Sequence, residues 1–159
     1  MSCELRARVL LLRKKRQKNV FITAFDFGIS YTGFYFHGNL FIMRNFKELK
    51  IWQKGFRIAV NAFKLVSTFP KEEKYGLSSQ ITRAAVSIPS NIAEGSSRSS
   101  EKDYGRFIEL SLGSSFEAET QLLIAEAVNY GDADLRKTML NDIDEEQKML
   151  ISFLNKLNN

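Results

Sequence analysis

The sequence predicts an all-α protein: an antiparallel up-down-up-down four-helix bundle over residues 43–159, with an atypical N-terminal extension over residues 1–42. Three observations predict it. Apolar residues recur every three or four positions from about Phe46 onward. Only two prolines, Pro70 and Pro89, interrupt the 159 residues. Short turn-forming segments divide the pattern into four lengths that suit one bundle.

The first helix is expected from about Phe46 to Thr68. Leu49, Trp52, Phe56, Val60, Phe63 and Val66 form its apolar stripe, and Phe69-Pro70 ends it. The turn is Lys71 to Gly76. The second helix begins near Leu77 and buries Leu77, Ile81, Ala85, Ile88 and Ile92. Pro89 falls inside that pattern, so a kink is expected rather than a stop, with Gly95 as the terminator.

The third helix is expected from Glu101 to about Asn129, capped by Ser99 or Ser100, with Glu101 and Asp103 at the positive end of its dipole. Tyr104, Phe107, Ile108, Leu112, Phe116, Leu122, Leu123, Ala125 and Val128 cover more than half of its circumference. Small residues, among them Ser111, Gly113, Ser115 and Ala118, permit close helix approach. A helix this broadly apolar is either central to the bundle or shared with another subunit. Asp132 is placed to cap a fourth helix, Ala133 to Leu157, whose inner face is Leu135, Met139, Ile143, Leu150, Phe153 and Leu157.

The formal charge of +5 is unevenly distributed. Residues 1–42 hold seven basic and two acidic side chains, so the remaining 117 residues carry 16 of each and are neutral. A nucleic-acid argument for the bundle must therefore rest on local patches. The extension also holds eight aromatics between Phe21 and Phe41. A basic run before an apolar stretch superficially suits a leader or anchor, but Asp26, Gly28, Gly33 and Gly38 interrupt it. Membrane association is thus disfavoured. One reading makes Met43 the natural start and residues 1–42 the product of an upstream start codon. Another takes alternation such as Tyr31-Thr32-Gly33-Phe34-Tyr35-Phe36 as strands.

Catalytic chemistry finds few components. Cys3 and His37 are the single cysteine and histidine, and both lie in the extension. That excludes an internal disulfide framework and suits a reduced, cytoplasmic protein. A di-metal bundle site needs Glu-x-x-His pairs, and a serine nucleophile needs a base; the bundle has no histidine for either. No phosphate-binding Gly-rich loop is present. The reading is non-enzymatic, with no catalytic residue, cofactor, metal or small-molecule substrate.

Two polar sets remain. Arg83, Ser87, Asn91 and Glu94 share one side of the second helix. They form either a solvated face or a contact with a subunit or partner. Lys71, Lys74, Arg83, Arg98, Lys102 and Arg106 form a basic set beside serine-rich loops, suited to phosphate oxygens. Ordinary ion pairs, such as Arg106 with Glu109 or Lys102 with Asp103, are the competing account. A symmetric oligomer would repeat such a patch into a larger positive surface.

Asn45 to Lys54, Phe69 to Leu77, Ser79 to Gly95, Leu112 to Ser115 and Glu117 to Leu122 together resemble one bacterial family. It is the four-helix bundle family encoded in intervening sequences of 23S ribosomal RNA genes. The chain is also similar to accessory variability proteins of diversity-generating retroelements. The resemblance covers Met43 to about Leu157, and the family opens where Met43 stands. It implies a homopentameric ring and, for the retroelement relatives, binding of RNA or DNA and of a reverse transcriptase through a basic surface. Carried over, that surface draws on Lys71, Lys74, Arg83, Arg98, Lys102 and Arg106. The neutral bundle departs from the more basic retroelement proteins.

Overall fold

A computed structural model describes residues 21–26, 29–36 and 39–157, with side chains from residue 44 onward. Strands β1 (Phe21–Asp26), β2 (Ile29–Phe36) and β3 (Asn39–Arg44) form an antiparallel sheet in the order β1-β2-β3. Phe21 pairs with Phe34 across the first ladder and Phe34 with Phe41 across the second. The alternation seen from Tyr31 to Phe36 therefore lies within a strand. The basic run before residue 21 lies outside the described residues.

Four helices follow: α1 (Lys50–Val66), α2 (Leu77–Ser96), α3 (Glu101–Ala127) and α4 (Ala133–Leu157). α1 packs on α2 and α4, and α3 on α2 and α4, so α1 and α3 stand diagonally across the bundle. The core is a continuous cluster that includes Ile58, Leu65, Ile81, Ile88, Ile92, Tyr104, Ile108, Leu122, Met139, Ile143 and Leu150. The all-α bundle expected from periodicity is present.

The face of α1 differs from expectation. Its buried line is Ile51, Gly55, Ile58, Ala62 and Leu65. Phe56, Val60 and Phe63 are 50%, 39% and 58% exposed, and Trp52 is half-buried. The helix carries two parallel apolar lines, and the line with the smaller residues faces inward. Close packing explains the choice. A Cβ on Gly55 would stand 3.0 Å from Ile88 Cγ2 and 3.5 Å from the Pro89 nitrogen, leaving no room for aromatic rings between α1 and α2. The start also differs. Phe46–Glu48 forms a short 3-10 turn, and Leu49 is extended (ψ 125°) and buried, so α1 begins at Lys50.

α2 runs uninterrupted through Pro89 and buries the face expected of it. Gly95 does not terminate it. The helix continues to Ser96, and Gly95 is a point of close approach: a Cβ there would lie 2.7 Å from Phe107 Cβ and 2.8 Å from the Tyr104 ring. Ser111 Oγ of α3 donates to the Ile88 carbonyl at 3.0 Å, a fully buried bond between the two helices.

Ser100 caps α3 by accepting from the Asp103 amide at 3.1 Å. The helix stops at Ala127, two residues before expectation, because Asn129 adopts φ 58° and closes a Schellman motif. Tyr130 N donates to Ala125 O at 2.8 Å, and Asn129 N to Glu126 O at 3.0 Å. On α3 itself Phe116, Leu123 and Val128 are exposed, not core, because each lies outside the line of Ile108, Ser111, Ser115, Ala118 and Leu122 that meets α2 and α4. Asp132 caps α4, accepting from the Leu135 amide at 2.7 Å. Met139, Ile143 and Leu150 are fully buried, while Leu135, Phe153 and Leu157 pack half-buried at the margins.

Candidate nucleic-acid interface

The chain reverses direction at each turn, so the basic set divides between the two ends of the bundle. Lys71 and Lys74 lie on a 3-10 segment (Lys71–Tyr75) between α1 and α2. Both are exposed, and Lys74 Nζ sits 5.2 Å from the centre of the Tyr75 ring. Arg83 follows two turns into α2, exposed, with Nη2 3.9 Å from Glu117 of α3. Arg98 lies 15 residues further along the chain, about 20 Å away at helical rise. It belongs with Lys102 and Arg106 at the α2–α3 corner.

At that corner the arginine is held, and the other two cations make no ion pair among the described residues. Arg98 forms an ion pair with Glu94, and its guanidinium carbon lies 4.4 Å above the Phe107 ring centre. Arg44, at the end of β3, donates to the Arg98 carbonyl at 3.1 Å, pairs with Glu101, and lies 4.7 Å over the Tyr104 ring. Lys102 and Arg106 are exposed one turn apart, and among the described residues neither forms an ion pair. The alternative pairings, Arg106 with Glu109 and Lys102 with Asp103, are not made. Of the second polar set, Glu94 engages Arg98, while Ser87 and Asn91 are half-buried along α2.

A bundle of this kind has counterparts among known proteins. The sequence model of the 23S rRNA-intervening sequence protein family matches residues 47–152. The chain belongs to that family. A solved structure of a protein of unknown function from the S23 ribosomal protein family of Bacteroides thetaiotaomicron is similar to it. The two share 26% identity with a TM-score of 0.59, over 65% of this chain and 97% of that one. Among curated proteins, none matches.

Charged residues within the bundle of this family member were not anticipated. Lys54 of α1 is buried and reaches Asp142 of α4 at 3.0 Å and also Glu145. Arg57 joins the same Asp142 at 3.3 Å. Burial lowers the Lys54 pKa, but the hydrogen bonds to Glu145 and Asp142 outweigh it, so the ammonium is held above its ordinary value. Glu146 is completely buried, and neither carboxyl oxygen has a hydrogen-bond partner among the described residues. Burial pushes its carboxyl up to about 8, with the Lys54 charge opposing. The signal for Glu146 was available: Met139, Ile143, Glu146 and Leu150 run at 4-3-4 spacing on the inner face. Arg136, likewise buried, donates to the carbonyls of Tyr130 at 2.5 Å and Gly131 at 3.4 Å, supporting the turn before α4.

A groove of about 360 Å³ lies between the start of α1 and the end of α4. Leu49, Ile51, Met149 and Phe153 line it, with Lys50, Lys148 and Lys156; its one carboxylate, Glu145, is taken by Lys54. Among the described residues no three His, Cys, Asp or Glu side chains are grouped to hold a metal ion. Nor is any helix among them long and apolar enough to cross a membrane.

Proposed function

We propose that this protein is a non-enzymatic, oligomeric binding protein that contacts RNA or DNA through basic residues repeated around a homo-oligomeric ring. The observation that carries the reading is the α2–α3 corner, where Lys102 and Arg106 are exposed beside Arg98 and, among the described residues, form no ion pair. Two such cations on one subunit bind phosphate weakly, but multiplied around a ring they give a surface that engages many phosphates at once. Lys71, Lys74 and Arg83 add a second basic site at the opposite end of each subunit. Membership of a family named for ribosomal RNA intervening sequences supports RNA as a ligand. The family resemblance supports a pentamer, and the single cysteine suits a cytoplasmic setting.

A second reading makes the bundle a protein-interaction module, for instance a reverse-transcriptase accessory without direct nucleic-acid contact. The exposed apolar side chains of α3 favour it. Titration of labelled single- and double-stranded RNA and DNA at low and high salt separates the two. Binding that weakens steeply with salt is expected. Absence of binding at low salt, together with nuclease-insensitive capture of a protein partner, would leave only the second reading.

A further inference from the structure

We infer that the subunits associate head to tail, with the outer face of α1 on one copy packed against the outer face of α3 on the next. The inference rests on the oligomer proposed above and names its interface.

α1 is acid-free. Its 17 residues carry Lys50, Lys54, Arg57 and Lys64. Lys50, Arg57 and Lys64 are seven residues apart and therefore lie along one line of the helix, about 10 Å between neighbours. Beside that line run Phe56, Val60 and Phe63, exposed side chains turned away from the core, with the half-buried Trp52 at their margin. Trp52 and Phe56 stack with ring centres 5.2 Å apart.

α3 is the opposite in charge. From Phe107 to Ala127 it holds no base, and Glu109 and Glu117 lie one turn to either side of Gly113 on its outer side; Glu119 is turned to α4, where it accepts from Gln147 at 2.8 Å. Leu110, Leu123 and Ile124 on this stretch are 56%, 49% and 48% exposed. Gly113 sits mid-helix on the same outer side. A Cβ there would meet nothing within 4 Å, so nothing within the subunit requires glycine. In a helix interior glycine costs about 0.5–1 kcal/mol relative to alanine. An exposed glycine flanked by apolar side chains is what a second helix approaching closely from outside would use.

The two faces are thus opposite in charge, alike in apolar content and complementary in shape: a basic, bulky ridge, and a notch flanked by Glu109 and Glu117. They stand on diagonal helices and point away from each other, so one subunit cannot satisfy both from within. An interface joining two different faces is heterologous. Repeated, it continues from copy to copy and forms a ring when the rotation closes. A membrane or nucleic-acid occupant would account for the basic face of α1 alone and leave the acidic apolar face of α3 unexplained.

Two variants, each damaging one face, test the interface. Phe63→Glu spoils the α1 face, and Gly113→Leu fills the notch on α3; both positions lie on the outer side of the bundle, and retained helicity by circular dichroism checks the fold. Light scattering coupled to size exclusion should give a multiple of the 18.2 kDa subunit for the wild type and a single subunit for each variant. Mixed in equal amounts, the variants should form a dimer and nothing larger, because each supplies the face the other lacks. Folded variants that keep the wild-type mass would overturn the interface while leaving the oligomer standing. A wild type that stays at one subunit at high concentration would overturn both. Nucleic-acid titration of the same samples reports on the basic corner separately.

Discussion

The buried carboxyl of Glu146 on α4 faces the backbone of Gly55 on α1: a Cβ on that glycine would stand 3.5 Å from Glu146 Oε1. Glu146 is thereby enclosed without a hydrogen-bond partner among the described residues, and its carboxyl is pushed up to about 8 from an ordinary 4.5.

A pH-dependent stability follows. Between about pH 4.5 and 8 the folded state holds a proton that the unfolded chain releases. The contribution of Glu146 is therefore intact below 4.5 and lost progressively as pH rises to about 8, by up to about 1.4 kcal/mol per pH unit for one proton. Glu146→Gln should flatten this slope. At pH 8 the variant is expected to exceed the wild type by a few kcal/mol, on the order set by that linkage. Urea denaturation at pH 5, 6.5 and 8 measures it, and parallel slopes for the two proteins would refute the assignment.

Two helical glycines should respond to alanine with opposite signs. Gly95→Ala forces a methyl against Phe107 Cβ at 2.7 Å and should destabilise by about 1–3 kcal/mol. Gly113→Ala meets open space within the subunit and should stabilise the isolated monomer by about 0.5–1 kcal/mol. Thermal melts at low protein concentration distinguish the two.

Ser111→Ala removes the buried bond to the Ile88 carbonyl. That carbonyl precedes Pro89, whose missing N–H leaves the Ala85 carbonyl, one turn earlier, without its helical donor. A loss of about 1 kcal/mol is expected, read by chemical denaturation, with little change in helix content.

At the basic corner, Lys102→Ala and Arg106→Ala should weaken nucleic-acid binding across all sequences. Each should lower the salt slope by about one unit for every phosphate that a subunit no longer neutralises. The Arg98 side chain is occupied by Glu94 and Phe107, so Arg98→Ala should cost stability more than binding. Fluorescence anisotropy across a salt series measures the slopes. An unchanged slope in the double variant would place the interface elsewhere.

Much of the fold was legible because it depends on local rules. The four helices, the Ser100 and Asp132 caps, and the apolar faces of α2 and α4 follow from periodicity and turn chemistry within a few residues. Of the basic candidates, Arg98, Lys102 and Arg106 could be grouped from their spacing, but not set apart from Lys71, Lys74 and Arg83. Their separation into two ends depends on how the chain folds back, as the distance between Arg83 and Arg98 shows.

The sequence by itself determined the class of structure, the neutrality of the bundle and the absence of histidine and cysteine from it. Tertiary structure decided which of two apolar lines on α1 faces inward. Periodicity is blind to that choice, because Ile51-Ile58-Leu65 and Trp52-Phe56-Phe63 both satisfy it. Close packing against Ile88 and Pro89 selected the line containing Gly55 and left the aromatic line outside. The same packing enclosed Glu146, whose carboxyl only the neighbouring helices keep from water.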